Sequence, residues 1–243
     1  MARSRLKKQA HREAESSDLS GRLVTVLDPN GAASEAYRTL RTNLIYSLVD
    51  FPRQVVVVTS CGPQEGKSTT CANLAVVLAQ ANKRVLLVDC DLRKPVLHKI
   101  FGLRNFRGVV NVLAGEVRLQ EVWQEPMSDG LKVVTTGSVP PNPAELLGSR
   151  RFEEFLQGAR REFDFVLIDA PPTGLVSDPA ILASQGDGVL LVIDSQNTRK
   201  GSLQQAVRGL ETVGARIIGT VMNNARVKKG DYYGYTYSGG SNG

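Results

Sequence analysis

Val55-Val-Val-Val-Thr59 runs directly into Ser60-Cys-Gly-Pro-Gln-Glu-Gly66-Lys67-Ser68-Thr69, and helical spacing follows over Thr69–Ala81. The first five residues are β-branched and have the length of a buried strand. The loop after them holds Gly62 and Gly66, where the backbone can approach a ligand without a Cβ in the way. A strand, a glycine-bearing loop closing on Gly-Lys-Ser and a helix together make a P-loop. Its amides and the helix N-terminus cradle phosphate oxygens, Lys67 reaches the outer phosphates, and the Ser68 hydroxyl ligates magnesium. The chain is therefore read as binding ATP with magnesium. Cys61, Gly62, Pro63, Gln64, Glu65, Gly66, Lys67, Ser68 and Thr69 form the cradle, and Cys61 stands where the usual pattern opens with Gly.

Outward from this loop, apolar runs rich in Val and Ile recur at Val85–Val88, Leu131–Thr135, Phe165–Ile168, Val189–Ile193 and Ile217–Val221. Helical spacing separates most of them, as in Arg150–Glu162 and Gly201–Val213. Near-continuous apolar strands alternating with helices are what a parallel sheet covered on both faces needs. The expected fold is α/β, a doubly wound and mostly parallel sheet of the P-loop NTPase kind. Two strands end in acids: Val85-Leu-Leu-Val-Asp89-Cys-Asp91-Leu-Arg93 and Phe165-Val-Leu-Ile-Asp169-Ala-Pro-Pro172. Open parallel sheets bind ligands beyond the carboxyl ends of their strands, so Asp89, Asp91 and Asp169 should emerge beside the P-loop. Magnesium takes oxygen ligands and keeps several waters, so Ser68, one or two of these carboxylates and ATP oxygens suffice. Ser68, Asp89 and Asp169 are the candidate metal ligands.

At 243 residues and 42% apolar composition the chain can bury one full core. Three segments are expected: a basic and polar leader over 1–32, a P-loop domain over 33–224 and a tail over 225–243. Much of the +6 formal charge sits at the ends; Arg3, Arg5, Lys7, Lys8 and Arg12 precede the first acid, Glu13. Such a leader is either solvated or drawn to an anionic membrane face or acidic partner. No aromatic and basic stripe of the kind that stacks bases is seen, so nucleic acid is not expected as a partner. Three cysteines without paired spacing or a nearby His fit a reducing compartment better than a disulfide or zinc framework. A cytosolic chain is expected from that cysteine usage, and the apolar runs are too short to span a bilayer. Past the last strand, branched apolar residues give way to Gly, Ser, Lys and Tyr, so a mobile tail is expected. It carries Tyr232, Tyr233, Tyr235 and Tyr237, four of the six tyrosines in the chain.

These features, in this order, resemble the bacterial tyrosine kinases, P-loop kinases of capsule and exopolysaccharide synthesis. The resemblance runs from about Ser34 to the C-terminus. It rests on the P-loop, the acids of Asp89-Cys-Asp91-Leu-Arg93-Lys-Pro95, the acid of Ile168-Asp169-Ala-Pro-Pro172, the stretch Pro140-Pro-Asn-Pro-Ala-Glu-Leu-Leu147 and the Tyr-rich end. Glu35, Arg38 and Arg41 match the family's Glu-x-x-Arg-x-x-Arg motif, on a helix expected over Ala33–Leu48. Related ATPases that position cell-division proteins and plasmids tend to carry an extra Lys near the position of Gly62. They supply the alternative reading, a switch or scaffold without kinase activity.

The resemblance implies magnesium-ATP as phosphoryl donor and protein tyrosines as acceptors, with the tail cluster phosphorylated by a neighbouring subunit. It assigns Lys67 and the loop amides to transition-state charge. Asp89 would accept the tyrosine proton, while Asp91 and Asp169 orient magnesium and its waters; the division of labour among the three stays open. Arg93 is grouped with the nucleotide contacts. Asn223 is either an adenine contact or a strand-end turn, and Glu35, Arg38 and Arg41 either a ring interface or a solvated helix face. The family resemblance further implies a separate transmembrane activator that recruits the chain to the inner face of the membrane.

Overall fold

The structure is a computed structural model, and it describes residues 20–48, 54–127 and 130–225. Residues 1–19 of the leader and Tyr232, Tyr233, Tyr235 and Tyr237 lie outside the described residues.

Seven strands form one sheet: β1 Gln54–Ser60, β2 Val85–Asp89, β3 Trp123–Gln124, β4 Leu131–Val134, β5 Phe165–Asp169, β6 Gly188–Asp194 and β7 Ile217–Asn223. Their order is β3-β4-β2-β5-β1-β6-β7, and every pairing is parallel except the short edge pair β3 and β4. The doubly wound expectation is met. β1, β2 and β5 are buried along their whole length, which is why they read as unbroken apolar runs instead of alternating ones.

Nine helices are described: α1 Val24–Leu27, α2 Ala32–Ser47, α3 Lys67–Ala79, α4 Leu97–Ile100, α5 Val109–Ala114, α6 Pro143–Leu147, α7 Arg150–Glu162, α8 Asp178–Ala183 and α9 Lys200–Thr212. Period-two alternation sends successive strand residues to opposite faces. Val56, Val58 and Leu87 join the core under α2 and α3. Val55, Val57 and Leu86 join the opposite core, under α7 and α9. Both faces are thus covered.

Within the segment assigned by its composition to the polar leader, residues 22–25 lie against α3. Leu23 and Thr25 are buried there. The contact is organised by Asn73, a fully buried side chain in the middle of α3. Its Oδ1 accepts from the Thr25 amide at 3.1 Å and hydroxyl at 2.9 Å, and its Nδ2 donates to the carbonyls of Arg22 at 2.8 Å and Thr69 at 2.9 Å. Three bonds of one amide thus dock the segment, and the fourth returns to its own helix, so its full capacity is used.

α2 covers the outer side of α3. Of the three motif residues on it, Glu35 is exposed and pairs with Arg38 at 2.7 Å, and Arg38 also donates to the Pro29 carbonyl. Arg41 instead turns inward and donates from Nη1 to the Val77 carbonyl of α3 at 3.1 Å.

Candidate active site

Parallel register brings the acids together. Asp89 and Asp169 are paired residues of β2 and β5, and Val58, two residues before the end of β1, is the partner of Asp169 on its other side. The P-loop leaves β1 on the level where both carboxylates end their strands.

The loop is held from below and from the side. Gln64 and Gly66 take left-handed backbone angles, with φ of 63° and 90°. Gly66 is required twice over: a Cβ there would be strained, and it would lie 2.0 Å from the Asn223 Nδ2. At Gly62, by contrast, a Cβ would find only ordinary contact with the Glu65 side chain. Glu65 straps the loop: its carboxylate accepts from the Gly62 amide at 3.0 Å and from the Thr198 hydroxyl at 2.5 Å, and its carbonyl accepts from the Asn223 Nδ2 at 3.2 Å. Asp194, at the end of β6, fixes the neighbouring turn by accepting from the Gln196 amide at 2.8 Å and from the Asn224 Nδ2 at 2.9 Å.

Lys67 sits between acids. Its Nζ lies 2.9 Å from Asp91 Oδ2, 3.3 Å from Asp169 Oδ1 and 3.1 Å from Ser68 Oγ. Burial disfavours its charge, but Asp169 and Asp91 outweigh that and raise its proton affinity above that of an ordinary lysine. Both oxygens of Asp91 are occupied, Oδ2 by Lys67 and Oδ1 by the Lys94 amide at 3.1 Å. Asp89 accepts from the Val96 and Leu97 amides through Oδ2, at 3.1 and 3.0 Å. Its Oδ1, together with Asp169 Oδ2, is buried without a partner. Complete burial raises the Asp89 pKa, and the Asp169 charge raises it further. Asp169 is also raised by burial, with Lys67 opposing.

Two buried carboxylate oxygens without partners, beside a helix-initial Ser hydroxyl, are costly unless something electropositive meets them. The donor set is all oxygen, which suits magnesium. No cluster of three or more His, Cys, Asp or Glu among the described residues forms a metal cage by itself, and magnesium, keeping waters and phosphate oxygens, does not need one. Ser68, Asp89 and Asp169 fit the ion.

Among the described residues three cavities flank the loop, and two of them adjoin its charged residues; a third, of about 250 Å³, lies between Cys61–Pro63 and Thr173–Val176. One of about 280 Å³ is lined by Arg22, Lys67, Ser68, Asp91, Arg93 and Pro171, among others. Another, of about 480 Å³, lies beside Pro63, Glu65, Asp194 and Thr198. Arg93 reaches the first cavity but also forms a bidentate pair with Asp178, whose side chain is fully buried at the start of α8. Asn223 lies against the P-loop with its Nδ2 engaged, so its Oδ1 is the atom left to meet a ligand.

Sequence reading missed Asp178, Asn73 and Arg22. Asn73 did carry a signal, since an Asn inside an otherwise apolar helix is out of place unless its amide is satisfied. Asp178 precedes Pro179 at a helix start, which marks a boundary without naming a partner.

Comparison with known proteins agrees with this geometry. Residues 53–223 match the AAA domain family. Tyrosine-protein kinase YwqD of Bacillus subtilis is 41% identical over 226 residues, which cover 93% of this chain and 95% of that one. The chain belongs to the bacterial tyrosine-protein kinase family. Tyrosine-protein kinase wzc of Salmonella typhimurium is 35% identical over 88% of this chain, which spans only 30% of that longer relative. Among solved structures, the chimerical protein CapA2B2 superposes with a TM-score of 0.80 at 35% identity, over 83% of this chain and 89% of that one. The protein is a P-loop protein-tyrosine kinase of the capsule type. No helix among the described residues is long and apolar enough to cross a membrane.

Proposed function

We propose that this kinase uses magnesium-ATP to phosphorylate Tyr232, Tyr233, Tyr235 and Tyr237 on the tail of a neighbouring subunit. The observation that carries the site assignment is the convergence of Lys67 with Asp91 and Asp169, next to the unpartnered oxygens of Asp89 and Asp169.

The outer phosphates lie over the start of α3, against Lys67 and the loop amides, where negative charge spreading over the equatorial oxygens is stabilised. Ser68 and the unpartnered Oδ2 of Asp169 would hold magnesium, which when bound neutralises phosphate charge and leaves Asp89 Oδ1 free. Asp91 holds Lys67 in place. Asp89 accepts the tyrosine proton through Oδ1; burial makes it a stronger base than a surface carboxylate, which helps against a phenol of pKa about 10. Asn223 contacts the adenine through Oδ1, and Arg93 meets the phosphates.

The catalytic unit ends at about residue 224, and the 225–243 segment is the substrate tail. Glu35, Arg38 and Arg41 form part of a ring interface, and a separate transmembrane protein activates the kinase and brings it to the membrane. The resemblance to the family supports both assignments. Each added phosphate brings about 1.5 to 2 negative charges, so a phosphorylated tail is repelled by the acid-lined site and assembly cycles with phosphorylation.

The test is incubation of the purified chain with magnesium-ATP and an activator fragment, followed by phosphotyrosine detection and mass spectrometry of the tail. Signal should be lost in Lys67→Met and in a chain ending at Asn224. Continued phosphate release without any phosphotyrosine would defeat the tail assignment. Light scattering of a variant with Ala at positions 35, 38 and 41 should show a monomer; unchanged assembly removes that motif's role.

A further inference from the structure

Arg93 and Asp178 form a pair whose two members face different surroundings. Asp178 is fully buried, and both its oxygens are used: Oδ2 accepts from Arg93 Nε at 2.9 Å and Oδ1 from Nη2 at 3.1 Å. Arg93 keeps 42% of its side chain exposed, and it lines the 280 Å³ cavity that also holds Lys67 and Ser68. Asp178 does not line that cavity. Among the hydrogen bonds of the described residues none uses Arg93 Nη1. A guanidinium is a planar fork, so fixing one edge on a carboxylate fixes where the remaining N–H groups point.

Simple fold clamps do not require this division. Burying a carboxylate is costly before its partner offsets it, and an apolar pair of similar volume often serves stability as well. A dry acid holding a base whose far edge is wet makes sense where that far edge has an anion to meet. The place of Arg93 indicates which anion. It lies two residues beyond Asp91, whose Oδ2 is 2.9 Å from Lys67 Nζ. It is therefore on the outer-phosphate side of the P-loop, away from Asn223 and Glu65.

We propose that Asp178 is a positioning residue for the phosphoryl-transfer site: it holds the Arg93 guanidinium so that its free edge contacts the γ-phosphate of ATP, making the site prefer ATP over ADP. The proposal rests on the assignment of this cavity to the ATP phosphates. Asp178 acts through Arg93 and touches no substrate. It lies on α8, directly after the Thr173–Ser177 loop, so the same contact ties the phosphate site to α8.

The experiment measures binding of fluorescent ATP and ADP analogues to the full chain with magnesium. Arg93→Ala should weaken ATP about tenfold or more while leaving ADP nearly unchanged, the loss expected for one charge-assisted contact. Asp178→Asn should reproduce that ATP-selective loss, and the double variant should be no worse than Arg93→Ala alone. Millimolar guanidinium should restore ATP preference to Arg93→Ala, where Asp178 is intact to seat it, and fail in the double variant. A structural clamp predicts otherwise: equal weakening of ATP and ADP, or additive losses in the double variant, overturns the proposal. The rescue of Arg93→Ala needs only native Asp178, so it stays decisive even where Asp178 variants fold poorly; no rescue overturns the proposal. Unchanged nucleotide binding in Lys67→Met would refute the cavity assignment itself, a result distinct from all of these.

Discussion

Replacing Asn73 by Ala should release the Ser20–Leu27 segment from α3 while leaving the sheet intact. Four hydrogen bonds converge on this one buried amide. At about 1 kcal/mol each they sum to roughly 4 kcal/mol if every partner stayed buried and unpaired. That full cost is avoided, because the segment can lift away and let water satisfy the Thr25 amide and hydroxyl and the Arg22 carbonyl. What it loses on lifting is the burial of Leu23 and Thr25. The equilibrium for local opening should therefore shift by about 3 kcal/mol, which is about a hundredfold in exchange rate. The assay is native-state hydrogen exchange of the Leu27 and Asp28 amides, which donate to the Leu23 and Val24 carbonyls at 3.0 and 2.9 Å. Amides of β1 and β5 should keep their protection. Because Arg22 lines the phosphate cavity, nucleotide affinity should fall together with segment protection, and Asn73→Asp should be no remedy, since a carboxylate cannot donate to the Arg22 and Thr69 carbonyls. Unchanged exchange at Leu27 and Asp28 in Asn73→Ala would refute the reasoning.

Gly66→Ala should cost nucleotide binding by at least an order of magnitude, because left-handed backbone costs a non-glycine residue about 1–2 kcal/mol and the new methyl meets Asn223; adding Asn223→Ala should recover part of the loss, as read by titration calorimetry. Asp89→Asn should abolish phosphotyrosine formation yet stabilise the ligand-free protein. The sign follows from burial: the folded pKa of Asp89 is raised, so the native state holds its proton more tightly and wild-type stability falls as pH rises above about 4, where the unfolded carboxyl ionises. The melting-temperature advantage of Asp89→Asn should therefore grow from pH 5 to pH 8, and an advantage that shrinks over that range contradicts the argument. Asp187→Ala removes the acceptor of the Val55 amide, at 2.7 Å, and the partner of Arg160. It should cost about 1–3 kcal/mol in denaturant unfolding, with nucleotide affinity intact since none of these groups faces the P-loop cavities.

How far the molecule is readable from its sequence depends on the range of the forces that fix each part. Six of the seven strands were visible as apolar runs, the two-residue β3 being too short to show. Burial on both faces demands unbroken Val, Leu and Ile in β1, β2 and β5, whose expected boundaries fall within one residue of those observed. α7 matches its expected span because thirteen residues allow a full amphipathic pattern. α1, α4, α5, α6 and α8 are four to six residues long, too short for a 3.6-residue period to show itself. The P-loop and the three acids were visible for a related reason: each ends a legible strand, so topology alone delivers them to one edge.

What stayed hidden is what tertiary contact decides. Arg41 looked like part of a charged outer face, yet its guanidinium finds an α3 carbonyl 36 residues away in the chain. Asp178 passed unread, and its partner Arg93 is 85 residues distant. Neither pairing leaves a periodic trace, because each depends on the packing of α2 on α3 and of α8 beside the end of β2. The same logic separates two kinds of site residue in this kinase. Those that chemistry requires at fixed spacing, Lys67 and Ser68 above all, announce themselves in a motif. Those that only hold the others still, Asn73 and Asp178, are recognisable in the fold as buried polar groups whose bonds are all satisfied within the protein. A variant at either should then act on the position of a neighbour, and the pairing of its effect with that neighbour's is what distinguishes it from a simple loss of stability.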